Sequence, residues 1–228
     1  GDNFNTVDVE TTRKRLQNLD YFESVYVSPS SSSQKGYRNI DVSVTEKKTG
    51  SLSFGIGFSS VDSIVGYINL EQRNFDITNP WNFTGGGQRF VMNLRAGAER
   101  QDFSISLTEP WFLGRRLSLG GELYYKGSQY FSEVYDQKNV GAAIKIRKPL
   151  GKRSYLKAAY RLEKIDVDVE PTASAAFQAE NGDFVRSVLS LNYVYDSRDA
   201  LTTPRSGHKI DVGVSYSGLG GDVDTVGF

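Results

Sequence analysis

Hydrophobic positions recur in two rhythms along this chain. Over residues 6–19, Val9, Thr12, Leu16 and Leu19 fall at helical spacing. Asn5 or Thr6 is placed to cap that helix. Asp8 and Glu10 lie near its start and Arg13, Lys14 and Arg15 further along, the order that complements the helix dipole. A strand is expected over residues 22–27, then a Ser/Pro/Gly-rich loop over 28–36. A second strand is expected over 37–46, where Ile40, Val42 and Val44 alternate with Asp41, Ser43 and Thr45. Helix–strand–strand makes a small α+β module over residues 1–48, barely large enough to bury a core. Residues 47–50 form a short charged linker into the second domain, 49–228.

From Ser51 the helical rhythm disappears and period 2 takes over. Leu52, Phe54, Ile56 and Phe58 alternate with Ser51, Ser53, Gly55, Gly57 and Ser59. The same alternation returns around Met92, Ile105, Leu119, Ile144, Ala158, Leu191 and Val212, with a weaker segment over 65–72. That predicts about nine strands of roughly 8–12 residues.

Alternation has two physical solutions. A soluble sandwich turns the apolar face inward, and an outer-membrane barrel turns it to lipid. Three features favour the barrel. The strands are long against the usual five or six residues. Ten residues at about 3.3 Å each, tilted about 40°, rise roughly 25 Å, the height of an outer-membrane apolar band. Aromatics such as Phe75, Trp81, Phe83, Trp111, Phe112, Tyr124, Tyr125, Tyr130 and Phe131 gather near strand ends, where interfacial girdles want them. The polar face also carries Arg89, Arg95, Glu122, Lys145, Arg161, Glu163, Arg186 and Asp211, a density that suits a water-filled lumen. Leu107, Leu119, Ile144, Leu191 and Val212 are then expected to face lipid.

Composition removes other classes. Lys+Arg and Asp+Glu are 27 each, so the basic surplus of a nucleic-acid binder is absent. There is no cysteine and one histidine, which excludes thiolate chemistry and multi-histidine metal sites. Gly85-Gly86-Gly87 lacks the following helix and Lys-Ser/Thr of a phosphate loop, and reads as a turn. His208 has no nucleophile motif beside it and reads as a turn-flanking residue. Thr78-Asn79-Pro80-Trp81 and Thr108-Glu109-Pro110-Trp111 read as strand stops followed by interfacial Trp. No cofactor, metal or catalytic group is expected.

Four segments resemble the BamA family of outer-membrane β-barrel assembly factors. Residues 15–25, Arg-Leu-Gln-Asn-Leu-Asp-Tyr-Phe-Glu-Ser-Val, look like the last helix and following strand of a POTRA domain. Residues 49–58, Thr-Gly-Ser-Leu-Ser-Phe-Gly-Ile-Gly-Phe, look like the junction into the first barrel strand. Thr108-Glu109-Pro110-Trp111-Phe112 followed by residues 117–121 is similar to a later strand passage. The run through Asp196, Arg198, Asp199, Pro204 and Gly207 is similar to the family's Asp-x-Arg-Asp…Pro-x-x-Gly turn.

The resemblance implies a mainly β chain: the N-terminal part of an antiparallel transmembrane β-barrel, preceded by the C-terminal part of the last POTRA module. Residues 225–228 would start a tenth strand, and the family's later strands are absent, as in a fragment or a partly ordered chain. It implies a non-enzymatic insertase in the outer membrane, with the POTRA part in the periplasm. Ser51, Leu52, Ser53, Phe54, Gly55, Ile56, Gly57, Phe58 and Ser59 would be the edge that pairs with client strands. Implied partners are unfolded outer-membrane β-barrel proteins, periplasmic lipoprotein accessory subunits and outer-membrane lipid, with no nucleic acid. A two-partner secretion translocator and a passive porin-like barrel are the rival readings. Entry from the periplasm at Gly50 would make 126–138 and 164–183 extracellular loops. It would make 110–116, 149–154 and 197–207 periplasmic turns, with 74–88 long for such a turn.

Overall fold

The computed structural model describes residues 5–60, 63–132, 134–198, 205–222 and 225–227. The chain divides into two compact units, Gly1–Ser51 and Leu52–Phe228.

In the first unit, helix α1 spans Thr6–Gln17 and strands β1 and β2 span Phe22–Ser31 and Arg38–Glu46. Asn5 is the cap: its side-chain oxygen accepts from the Val7 N–H at 2.9 Å. β1 and β2 pair antiparallel, with Val25 opposite Val44. β1 runs past the expected stop at residue 27 and through Pro29. A two-stranded sheet leaves each strand a free edge, so the donor that Pro29 lacks need not be missed. Val25 is buried, while every residue of β2 is exposed.

The second unit is an antiparallel meander. β3 (Gly50–Ser59), β4 (Ser63–Phe75), β5 (Gln88–Gly97), β6 (Arg100–Glu109) and β7 (Ser118–Ser132) are followed by β8 (Tyr135–Pro149), β9 (Ser154–Val169), β10 (Gly182–Asp196), β11 (Lys209–Ser217) and β12 (Thr225–Gly227). They form one ten-stranded sheet in sequence order, with β3 and β12 at its two ends. The sheet is therefore not closed on itself. The expected nine strands become ten because β12, three residues long, pairs with the end of β11.

Two expected loops are strand in part, 126–138 for most of its length and 164–183 at its two ends. Residues 126–138 hold the outer arms of β7 and β8, paired through Gly127↔Lys138 and Ser128↔Gln137. β9 and β10 likewise continue to the pair Gly182↔Val167. The outer arms of β7 and β8 are mostly polar on both faces, so the amphipathic contrast fades there. In β9 the alternation persists but changes sides: Ile165, Val167 and Val169 share the face of Glu163, opposite to Leu156 and Leu162. The backbone satisfies its hydrogen bonds in the ladder throughout. Residues 76–87, between β4 and β5, are held by their own bonds. The Asp76 and Phe83 backbones pair at 3.1 Å, and the Gly87 N–H donates to the Asn74 side chain at 2.8 Å. The Phe75 ring stacks on Phe83 and Phe90. The Thr78 hydroxyl and N–H donated to Asp76 hold its carboxyl below the ordinary value.

Register separates the two faces, because directly opposed residues point the same way. Leu107, Gly121, Ile144, Tyr160, Leu189 and Tyr216 lie in one row across six strands. Leu119, Leu191 and Val212 share that face. Arg95, Glu122, Lys145 and Asp211 lie on the other. Burial is inverted relative to a water-soluble sheet. Ile144 is 57% exposed and Val212 62% exposed, whereas Tyr124, Ala143 and Glu163 on the polar face are buried. A sandwich needs the opposite arrangement. A sheet with lipid on one side and a polar lumen on the other needs this one.

Candidate functional site

β3 is the terminal strand at its end of the sheet, and among the described residues nothing pairs with its outer edge. All of the expected pairing residues, Ser51 to Ser59, fall within it. Leu52, Phe54, Ile56 and Phe58 project to the apolar face, the last three 76%, 79% and 83% exposed. Ser51, Ser53, Gly55 and Gly57 project to the polar face. Gly55 lies against Tyr67 and Gly57 against Val65, so β3 runs antiparallel to β4. A Cβ at Gly55 would sit 2.7 Å from the Tyr67 hydroxyl oxygen. Glycine there lets the Tyr67 ring lie across the strand. On the apolar face, Gly66 and Ala96 are directly opposed and floor a shallow pocket walled by Phe54, Ile56, Ile68 and Leu94.

The polar face of β7–β10 is built differently. Tyr124, Gly141, Glu163 and Arg186 form one row across those four strands. The Tyr124 hydroxyl reaches over Gly141 and donates to Glu163 at 2.6 Å. A Cβ at Gly141 would strike the Tyr124 ring and come within 2.9 Å of the Glu163 Cβ. Arg186 donates through Nε to the same carboxylate at 2.6 Å. The guanidinium of Arg161 and the ammonium of Lys126 both lie over the Tyr124 ring. Toward β4 the same row continues through Ser104, Asn93 and Asn69, with Asn93 donating to Ser104 at 3.2 Å. Glu122 and Lys145 pair one step along. Glu163 is buried with its charge answered, so the row ties strands together and leaves no carboxylate free for acid–base work.

The expected turn motif is brought together in part. Asp196 ends β10, and Arg198 closes on it through two side-chain bonds of 2.9 and 2.8 Å. The Arg198 N–H also donates to Asp196. Gly207 has φ +90°, and a Cβ there would run into the Ser197 carbonyl. Only glycine fits that approach. The His208 N–H donates to the Ser197 hydroxyl oxygen at 3.0 Å, and its ring lies 5.6 Å from that of Tyr195. Asp199 and Pro204 lie outside the described residues.

Sequence reasoning placed Glu163 on the polar face without singling it out. The Tyr124–Gly141–Glu163–Arg186 row becomes visible only once the register of three ladders is known. A glycine in mid-strand is the trace it leaves in sequence. Among the described residues, no cluster of three or more His, Asp or Glu side chains is placed to hold a metal ion.

A family model described as the Omp85 superfamily domain matches residues 82–227. The outer membrane protein assembly factor BamA of Nitratidesulfovibrio vulgaris is 24% identical over 231 residues, covering 99% of this chain and 28% of that protein. BamA of Neorickettsia risticii is 24% identical over 218 residues, covering 94% of this chain and 28% of its own length. A putative outer membrane protein assembly factor of Treponema pallidum is 31% identical over 120 residues, covering 53% of this chain and 14% of that protein. The chain thus spans less than a third of these curated relatives. Among solved structures, BamA from Haemophilus ducreyi lacking POTRA domains 1–3 superposes with a TM-score of 0.72 at 19% identity. It covers 95% of this chain and 43% of that one. That likeness is one of fold.

Proposed function

Because the chain belongs to the Omp85 superfamily, we propose that it is part of an outer-membrane factor that assembles β-barrel proteins, with β3 as the strand that pairs with clients. Residues 1–48 are read as the end of a periplasmic POTRA module, and the second unit as the first strands of the barrel. A strand in lipid must have its backbone groups paired. An edge strand supplies a partner by β-augmentation. The observation that carries the reading is β3 itself: a terminal strand with an exposed apolar face, backed by serine and glycine. Its clients are unfolded outer-membrane β-barrel proteins, and periplasmic lipoproteins are the expected accessories. No nucleotide or cofactor enters the mechanism.

Proline tests the edge. Successive N–H groups of a strand point to opposite sides, so Ile56→Pro and Gly57→Pro remove one donor toward β4 and one toward the free edge. In the full-length protein, the variant that loses the outward donor should block client insertion while its own folded level in the outer membrane stays near normal. The chain has no cysteine, so a single one introduced at Ser53 should crosslink to a client strand stalled during insertion. Normal client assembly with both prolines, in protein shown to be folded, overturns the pairing role.

A further inference from the structure

A net charge of zero conceals two poles. The connections that follow β4, β6, β8 and β10 lie at one end of the sheet, and those that follow β5, β7, β9 and β11 at the other. The second end is acidic: Asp136, Asp166, Asp168, Glu170 and Asp183 outweigh Lys138 and Lys164. The first end is basic around two adjacent turns, with Arg115 and Arg116 after β6, and Lys148, Lys152 and Arg153 around the end of β8. These five cations are exposed, and among the described residues none has a carboxylate within 4.0 Å. Along the strands, cations either pair with carboxylates, as in Arg89–Glu71, Lys145–Glu122, Arg186–Glu163 and Lys209–Asp211, or in several cases lie over aromatic rings, as Lys126, Arg147, Lys157 and Arg161 do. The charge at the two turns stands exposed instead.

Its placement matches a bilayer boundary. Lys148 lies on the apolar face, directly opposed to Leu156 and two residues beyond Ile146. The alkyl band ends there, and a lysine stem can lie along it while the ammonium reaches the headgroup level. Ser118 is opposed to Arg147, which brings the turn after β6 beside the end of β8. Between them lies a shallow pocket lined by Pro110, Trp111, Arg116, Arg147 and Pro149. Trp111 is 53% exposed at its rim, and the Arg147 guanidinium lies 4.0 Å from the Tyr155 ring centroid. Arg147 and Pro149 share the face of Lys145, so this pocket opens on the polar side, and contact with lipid falls to Lys148 and the exposed turn cations beside it.

We propose that the turns after β6 and β8 bind the phosphate headgroups of anionic glycerophospholipids in the leaflet at that end of the barrel. Arg115 and Arg116 hold one headgroup from the turn after β6. Lys148, Lys152 and Arg153 hold the neighbouring headgroup at the edge of the apolar band. The acidic pole at the other end repels the same lipids, so the two poles together fix how deep the barrel sits. This rests on the barrel reading above.

The test uses the full-length protein folded into vesicles of phosphatidylcholine, alone or mixed with phosphatidylglycerol, carrying a trace of either lipid spin-labelled. Insertion into phosphatidylcholine alone needs no anionic lipid, so failure at that step counts against the barrel reading and not against this one. In the mixed vesicles, the motionally restricted fraction should favour phosphatidylglycerol by about fivefold or more, the scale of one basic side chain near a charged surface. The triple variant Lys148→Gln, Lys152→Gln, Arg153→Gln and the double variant Arg115→Gln, Arg116→Gln should each lower that ratio, and the two sets combined should bring it down to nearly one. Lys138→Gln with Lys164→Gln, at the other pole, should leave it unchanged. An unchanged ratio in both turn variants, or an equal loss in the opposite-pole control, overturns the proposal. Inorganic phosphate that competes better than chloride at equal ionic strength would assign a free-phosphate site and overturn it as well.

Discussion

The two ends of the β3–β10 span solve opposite problems with the same alternation. In β7–β10 the polar face is knitted across four strands by Tyr124, Glu163 and Arg186, and the buried carboxylate makes each strand depend on its neighbours. In β3 the same face offers Ser51, Ser53, Gly55 and Gly57, and the nearest packing comes from Tyr67 and Val65 of β4. Glycine occurs in both places with different work. Gly141 makes room for a ring that ties strands together, whereas Gly57 leaves a side that nothing fills beyond one Val65 methyl at 3.6 Å. A sheet can thus be rigid in one sector and loose at its edge without any change in its apolar face.

The largest expected effect comes from breaking the knitted sector. Glu163→Ala leaves the Arg186 guanidinium and the Tyr124 hydroxyl without their acceptor. Loss of one partner of such a pair should destabilise the folded protein by about 3 kcal/mol. Thermal unfolding of the full-length protein in detergent, followed by heat-modifiable gel migration, would read this. A loss below about 1 kcal/mol would mean that water in the lumen already screens the row.

Next in size is the contrast between faces. Ile144→Arg puts a charge on the apolar face and should cost about 2–4 kcal/mol near the bilayer midplane. Lys145→Arg, one residue away on the polar face and already paired with Glu122, should change stability by less than about 0.5 kcal/mol. Equal sensitivity at the two positions would point to a sheet buried on both sides. Smaller again is Gly141→Ala. Its Cβ collides with the Tyr124 ring, a core-type overpacking worth about 1–3 kcal/mol. Tyr124→Leu in the same chain should recover part of that loss, since it removes the clash.

Much of this architecture was legible in the alternation. Every period-2 segment became a strand, and Asn5, Leu107, Ile144, Lys145 and Asp211 stand where the pattern placed them. Three things were not legible, each for a physical reason. The outer arms of β7 and β8 are mostly polar on both faces, and in β9 the apolar positions change sides beyond Leu162, so no single hydrophobic period runs the length of these strands. The Tyr124–Glu163–Arg186 row depends on register, which links residues 39 and 23 apart in sequence. The two charge poles cancel in the net sum, and they separate only when alternate connections are sorted to opposite ends of the sheet.

The smallest expected effect is the one that bears most on the edge. At Gly57 an added methyl meets only ordinary contact with Val65, so Gly57→Ala should stabilise slightly, by about 0.4–1 kcal/mol, through the less flexible unfolded chain. At Gly55 the Tyr67 ring must swing aside, and Gly55→Ala should offset that gain or reverse it. If looseness of β3 serves client pairing, Gly57→Ala should slow client assembly in the full-length protein even though it stabilises the fold, because the strand gains packing that it must give up to exchange partners. Hydrogen exchange of the β3 amides should slow in parallel. If the glycines only relieve crowding, Gly57→Ala should leave assembly unchanged, and Gly55→Ala alone should impair it. The two variants, two residues apart on one face of one strand, therefore separate an edge that must open from an edge that must merely fit.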